Sequence, residues 1–303
     1  MSGLCDGRVV IVTGAGGGLG RSHALAFAAE GARVVVNDIG TSREGEGTST
    51  APAQQVVDEI VAAGGEAVAN TADIAEWDGA QSLIATALDA YEGLDTLVLN
   101  AGFLRDRMLA TMSIEEWDAV IRVHLRGHFA PLRHAAAWWR EESKSGRDIS
   151  ARVVMTSSGA GLLGSVGQGN YSAAKAGILG LMLVSSAELG RYGVTVNAIA
   201  PAARTRMTES VMADMMAAPD SGFDAMAPDN VSPLVVWLGS EESRGITGRV
   251  FEVEGGRVGL ADGWQHGPTV DKGDRWQPSE LGAVVRELVL KAPPPAPVYG
   301  AAQ

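Results

Sequence analysis

Short, wholly apolar segments recur along this chain with helix-length stretches between them, and no other feature constrains the fold as strongly. Arg8–Thr13 reads RVVIVT, Arg33–Asp38 RVVVND and Asp95–Asn100 DTLVLN. Arg152–Ser157 reads RVVMTS and Val194–Ala200 VTVNAIA, and Glu66–Asn70 and Arg249–Val253 complete a set of seven. Strands that are apolar on both faces belong in a parallel sheet covered on both sides by helices. The helices fall at 18–30, 53–63, 76–91, 113–142, 168–190 and 228–238, the fourth opened by a capping box of Ser113 and Glu116. The predicted fold is therefore α/β: one doubly wound parallel seven-stranded sheet with a C-terminal extension. Residues 1–256 form the single domain. Residues 257–303 carry Trp264, Trp276, an apolar run over 283–290 and three successive prolines. They are expected to pack on the core or on a neighbouring subunit, with one of the two tryptophans closing a pocket.

Composition narrows the partners. The net charge of the 303 residues is −12, which argues against nucleic acid, since phosphate backbones demand a basic face. Small anionic ligands remain open, because local charge decides them. Cys5 is the sole cysteine, so no internal disulfide forms and a reducing compartment fits; its expected state is an idle thiol near a loose terminus. No run reaches the roughly 18 consecutive apolar residues of a membrane span. No signal peptide is visible, and Ala301-Ala302-Gln303 is no peroxisomal address. A cytoplasmic location is expected, and no metal site.

The first strand is followed by Thr13-Gly14-Ala15-Gly16-Gly17-Gly18-Leu19-Gly20 and then by a helix. Glycines in that place permit a tight turn, close approach of backbone to a pyrophosphate and close helix–strand packing. The helix start adds free N–H groups and a positive dipole end. Asp38 ends the second strand, eighteen residues beyond Gly20. A carboxylate there accepts ribose hydroxyls and repels a 2′-phosphate, which selects NAD over NADP. Tyr171 and Lys175, four apart, share one helix face. Ser158 ends the fifth strand, where open α/β sheets bind ligands. A phenol beside an ammonium is a plausible acid/base, the cation lowering the phenol pKa. A serine hydroxyl can hold a substrate oxygen whose charge changes.

Together these residues resemble the short-chain dehydrogenase/reductase family over about residues 7–256. The carriers are TGAGGGLG at 13–20, Asp73 in TADIA, Asn100-Ala101-Gly102, Ser158, Tyr171-Ser172-Ala173-Ala174-Lys175 and VNAIAP at 196–201. The resemblance implies a Rossmann-type fold and an NAD-dependent oxidoreductase interconverting a secondary alcohol and a ketone. By it, Tyr171 is the acid/base, Lys175 binds the nicotinamide ribose and Ser158 orients the substrate. Gly14, Gly16, Gly18, Leu19 and Gly20 form the phosphate loop. Asp73 and Ile74 flank the adenine, and Asn100, Ala101 and Gly102 border the cofactor. Two departures stand out. His124 occupies the place of the family's relay Asn, so it either holds the proton-relay water or is a packed histidine. Pro201-Ala202 replaces Pro-Gly, which leaves Thr205 as the carboxamide contact.

VVVNDIG, AGFLRDRM, VIRVHLRGHF and IAPAARTRMTESVM are similar to the 3-hydroxyacyl-CoA dehydrogenase part of peroxisomal type-2 multifunctional enzymes and their bacterial single-domain relatives. The expected reaction is then 3-hydroxyacyl-CoA to 3-ketoacyl-CoA. The alternatives are a 17β-hydroxysteroid or other bulky alcohol as substrate, and, outside catalysis, an NAD-binding sensor. Met207, Met212, Met215, Met216 and Met226 suit a lid over an acyl or steroid group, or ordinary core filling. Arg105, Arg107, Arg204 and Arg206 can meet CoA phosphates or simply face solvent. A homodimer or homotetramer is implied, paired through the 113–142 and 168–190 helices, with Ala173, Ala174, Gly177 and Gly180 permitting close contact.

Overall fold

The computed structural model describes residues 3–41, 47–205, 218–219, 221–261 and 263–301. The strands are β1 (Val9–Thr13), β2 (Arg33–Asn37), β3 (Glu66–Asn70), β4 (Thr96–Leu99), β5 (Ala151–Thr156), β6 (Val194–Ala202), β7 (Val250–Glu254) and β8 (Arg257–Ala261). They form one sheet in the order β3-β2-β1-β4-β5-β6-β7-β8. The first seven run parallel, as expected. The eighth is a correction to the predicted seven. It pairs antiparallel with β7 across a two-residue Gly255-Gly256 turn, with Glu254 opposite Arg257. Glycine pairs between alternating strands are a strong hairpin signal. The hairpin spans the boundary expected at residue 256, so the extension begins as part of the sheet.

Side-chain alternation along the strands divides the core in two. Val10, Val12, Val34, Val36, Val98 and Val154 face one way, onto α1 (Gly18–Ala29) and α2 (Ala51–Ala62), joined there by α8 (Ser232–Gly239). Val9, Ile11, Val35, Leu97, Leu99 and Val153 face the other, onto α3 (Trp77–Tyr91), α5 (Gly127–Lys144) and α7 (Gly169–Leu189). Continuous apolar strands are thus what two covered faces require.

The predicted single helix over 113–142 is interrupted. The capping box of Ser113 and Glu116 opens α4 (Ile114–Ile121), a π-helical turn follows at Arg122–Arg126, and α5 continues. A short α6 (Gly159–Leu163) follows Ser158, and α9 (Pro278–Lys291) carries the apolar run of the extension with none of its residues buried. By length and mean hydropathy Gly169–Tyr192 is long and apolar enough to cross a membrane, although it falls short of a continuous apolar run. Here it lies on the sheet, with Ile178 and Met182 in the core, as a core helix does.

The N-terminal segment is packed rather than loose at Cys5, which is fully buried. Burial pushes its thiol up to about 11, so it stays protonated and inert. His23, His124 and His128 are also buried neutral, the first and last of them away from the cavity lining. His23 Nδ1 meets Ser232 Oγ at 2.9 Å, joining α1 to α8, and His128 lies inside α5. Desolvation lowers each of these two to about 3. An unfolded chain protonates the same groups near 6.5. Depressed folded values mean that stability is full above the unfolded pKa and is lost as pH falls from about 6.5 towards 3. Between pH 7 and 5 the loss is about 2 kcal/mol per histidine. A clear drop in Tm over that interval is the expected result; a flat profile would show that these groups are solvated.

Candidate active site

The order of the strands reverses between β1 and β4, and a cavity of about 770 Å³ opens at their C-terminal ends. This is where doubly wound sheets take ligands. Gly14, Gly18, Leu19, Asp38, Asp73, Ile74, Asn100, Ala101, Gly102, Pro201 and Thr205 line it, together with His124, Ser158, Tyr171 and Lys175. Gly16 and Gly20 stand behind this wall, where a side chain would have no room. A Cβ on Gly20 would lie 2.1 Å from the Gly14 carbonyl oxygen, and one on Gly16 would lie 2.8 Å from Asp38 Cγ.

The glycine turn follows from backbone demands. Gly14 has φ +63°, and a side chain there would meet Ala101 Cα at 2.7 Å. Asn100 fixes the gap between β1 and β4. Its Nδ2 donates to the Thr13 carbonyl at 3.2 Å, while the Thr13 hydroxyl accepts from the Asn100 N–H at 2.9 Å. The α1 N-terminus has no side-chain cap, so its first N–H groups are open to an anion at the cavity wall. Asp38 accepts from Gly16 N–H at 2.8 Å and Gly40 N–H at 2.7 Å, which fixes its carboxylate at the end of β2. Asp73 accepts from Ala75 N–H and from Arg122, whose other partner is Glu76. Uncapped amides, bare glycine backbone and a fixed carboxylate along one cavity fit a dinucleotide.

At the other end of the cavity the chemistry-bearing groups meet. Lys175 is 2% exposed, and its Nζ donates to the Thr156 carbonyl at 2.7 Å. Ser157 Oγ donates to the Lys175 carbonyl at 2.9 Å, tying α7 to β5. Loss of solvent pulls the Lys175 ammonium down to about 7. Its Nζ sits 5.6 Å from the Tyr171 ring centroid. The sequence led us to expect a depressed phenol pKa. The structure reverses that expectation: burial pushes Tyr171 up, and a hydrogen bond with Ser158 only partly offsets it. Ser158 also caps α6, accepting from Ala160 N–H at 3.2 Å.

His124 lies on the π-helical turn and is buried. Its ring meets Tyr171 edge-on at 5.2 Å, and Nε2 lies 2.7 Å from the Phe103 carbonyl. Nδ1 has no hydrogen-bond partner although it is buried. Desolvation and the nearby Lys175 keep the imidazole neutral. A Cβ on Gly102 would reach 2.1 Å from its Cε1, so that glycine makes room for the ring.

Three features escaped the sequence. Asn170, fully buried, donates to the carbonyls of Arg105 and Glu116 and accepts from Tyr171 N–H at 2.8 Å, so it anchors the start of α7. Its place directly before Tyr171 was the available signal. The π-helical turn had none. Tyr299, from the extension, lines the cavity. The two tryptophans do not: Trp264 is fully exposed, and Trp276 stacks under Lys272. Of the candidate arginines, Arg107 pairs with Glu116 and Arg204 with Asp224, and Arg105 lies over Phe103. Met226 lines the cavity. Met207, Met212, Met215, Met216 and Arg206 lie outside the described residues.

The short chain dehydrogenase family profile matches residues 8–216. The chain belongs to this family. It is 46% identical to a Mycobacterium tuberculosis protein named hydroxyacyl-CoA dehydrogenase ChsB1, over 93% of this chain and 88% of that one. It is 44% identical to the mouse peroxisomal multifunctional enzyme type 2, of whose length it spans 34%. A crystal structure of a short chain dehydrogenase from Mycobacterium avium superposes with a TM-score of 0.88 at 63% identity, covering 99% of this chain and all of that one. The chain is accordingly an oxidoreductase with a Rossmann-type sheet that uses a nicotinamide dinucleotide, NAD or NADP.

Proposed function

We propose that this enzyme is an NAD-dependent dehydrogenase that converts 3-hydroxyacyl-CoA to 3-ketoacyl-CoA. The observation carrying the substrate is the 46% identity, over nearly the whole chain, to a protein named as a hydroxyacyl-CoA dehydrogenase. The preference for NAD rests on Asp38, whose negative charge at the end of β2 opposes a 2′-phosphate.

Bound at the cavity, the nicotinamide supplies the hydride acceptor. This chain's residues manage the proton and the geometry. Tyr171 Oη takes the hydroxyl proton as the carbinol C–H bond breaks and the C=O bond forms, and returns it in the reverse direction. Ser158 holds the substrate oxygen against Tyr171. Lys175 holds a positive charge beside the phenol, stabilising its ionised form, and offers donors to the ribose. His124, edge-on to Tyr171 and with its buried Nδ1 unpartnered, takes the relay position beside the phenol. The N–H groups at the start of α1 hold the pyrophosphate, with Asp73, Ile74 and Asn100 to Gly102 around the base and ribose, and Pro201 and Thr205 at the carboxamide. A sensor has no need of this acid/base pair. The exposed apolar side chains Leu183 and Val184 on α7 and Phe129 on α5 support a homodimer or homotetramer; a single-chain mass by light scattering would remove that reading.

The direct test is nicotinamide absorbance with NAD or NADP against 3-hydroxyacyl-CoAs and hydroxysteroids. Reduction of NAD by the thioesters is expected; faster turnover of steroids would replace the substrate. Tyr171→Phe should lower kcat about 10³-fold with NAD affinity little changed, because the phenol acts on the transition state. Because burial raises the Tyr171 pKa and pulls Lys175 down to about 7, the oxidation rate should follow two opposed titrations, rising as the phenol ionises and falling as Lys175 loses its charge; a monotonic climb with pH would show that the Lys175 charge is not needed. Asp38→Ala should reduce the NAD-over-NADP ratio of kcat/KM about tenfold, since it removes the group that repels the 2′-phosphate. An unchanged ratio would show that another group reads the ribose.

A further inference from the structure

After α9 the extension returns to the body and joins the loop between Ser158 and Tyr171. Tyr299 forms an isolated parallel bridge with Ser165. Val166 N–H donates to the Tyr299 carbonyl at 2.9 Å, and Tyr299 N–H donates to the Gly164 carbonyl at 3.2 Å. The same loop is held on its far side, where Arg107 N–H donates to the Gly167 carbonyl at 2.7 Å and Gln168 Nε2 to Asp106 at 2.9 Å. The Tyr299 ring crosses over Gly159, the residue directly after Ser158. A Cβ there would meet Tyr299 Oη at 3.0 Å and Cε2 at 3.1 Å, so the ring occupies the space that a side chain at 159 would need. Tyr299 is 45% exposed and also lines the cavity, which places it on the rim. The α1 N–H groups assigned to the pyrophosphate follow β1, whereas Tyr299 stands after β5, over the residue next to Ser158.

We propose that Tyr299 is a specificity-determining residue, its ring forming the wall against which the acyl portion of the substrate beyond the reacting carbon lies. This rests on the hydroxyacyl-thioester reading given above. An aromatic face on a rim can bury methylenes on one side while its hydroxyl stays in water. The wall comes from the last described residues of the chain, so acyl length is read by the extension rather than by the sheet.

Full-length Tyr299→Ala, Tyr299→Phe and Tyr299→Trp should be assayed with short-, medium- and long-chain 3-hydroxyacyl-CoAs at saturating NAD, alongside NADH titration by fluorescence. Tyr299→Ala should shift the ratio of kcat/KM between long and short chains about tenfold, mainly through KM, and Tyr299→Trp should shift it the opposite way. Tyr299→Phe should keep the wild-type ratio, and NADH affinity should stay within about twofold in all three, since the contacts of Tyr299 are with Gly159 and the Gly164–Val166 segment rather than with the glycine turn. Ratios unchanged in both Ala and Trp variants overturn the proposal. So does loss of NADH affinity that parallels the loss of turnover, because that marks a merely structural role. If the wild type turns over no thioester, the reaction reading fails; the same comparison on the alcohols it does accept then decides Tyr299, altered selectivity upholding it and unaltered selectivity overturning it.

Discussion

The bonds between Asn100 and Thr13 hold the molecule's working end together. They extend the β1–β4 pairing, which ends at Val12 and Val98, to the point where the two strands send their crossovers in opposite directions. The Asn100 amide donates to the Thr13 carbonyl, and the Thr13 hydroxyl accepts from the N–H groups of Asn100 and Ala101. That stitching sets the separation of the glycine turn from the loop after β4, with Gly14 and Ala101 in backbone contact. The glycine turn and the Asn100–Gly102 segment form facing walls of the cavity, and this pair holds those two walls together.

The second constraint is electrostatic. Lys175, His124 and His128 lie close together in an apolar interior, and burial drives each towards its neutral form. A core assembled for stability alone would not gather such groups. Lys175 keeps its place through one short bond to the Thr156 carbonyl and through the Ser157 tie to its own carbonyl. Its ammonium is thus driven towards the neutral form near pH 7, while the neighbouring Tyr171 phenol is held in its protonated form by the same burial.

Much of this was legible in the sequence, and for definite reasons. The central strands could be placed because residues alternating between two covered faces form continuous apolar runs, as in VVIVT and TLVL. The Tyr171 and Lys175 pair was readable because helical spacing puts them on one face. Asp38, Asn100 and Gly14 could be placed because strand ends fix position in a doubly wound sheet. What failed depended on tertiary surroundings. The Tyr171 pKa was expected to fall because proximity to Lys175 was considered without the desolvation of both groups. β8 was missed although Gly255-Gly256 marks its turn, because this short, exposed edge strand lies just beyond the boundary drawn at residue 256. The tryptophans of the extension drew attention by size, yet the half-exposed Tyr299 is the residue that reaches the cavity.

The π-helical turn at Arg122–Arg126 has a consequence for counting residues. Such a turn accommodates one residue more than an α-helical path, and each residue of an α-helix advances by about 100°. Above it, Val120 packs with Phe103 and Ala174; below it, Leu132, Ala135 and Trp139 face the sheet. Straightening the turn by deleting one residue would swing one of those sets about a quarter-turn out of its contacts. Register in sequence and register in space therefore differ by one residue across this helix, and its two halves align with an unbroken helix only when each is counted from its own end.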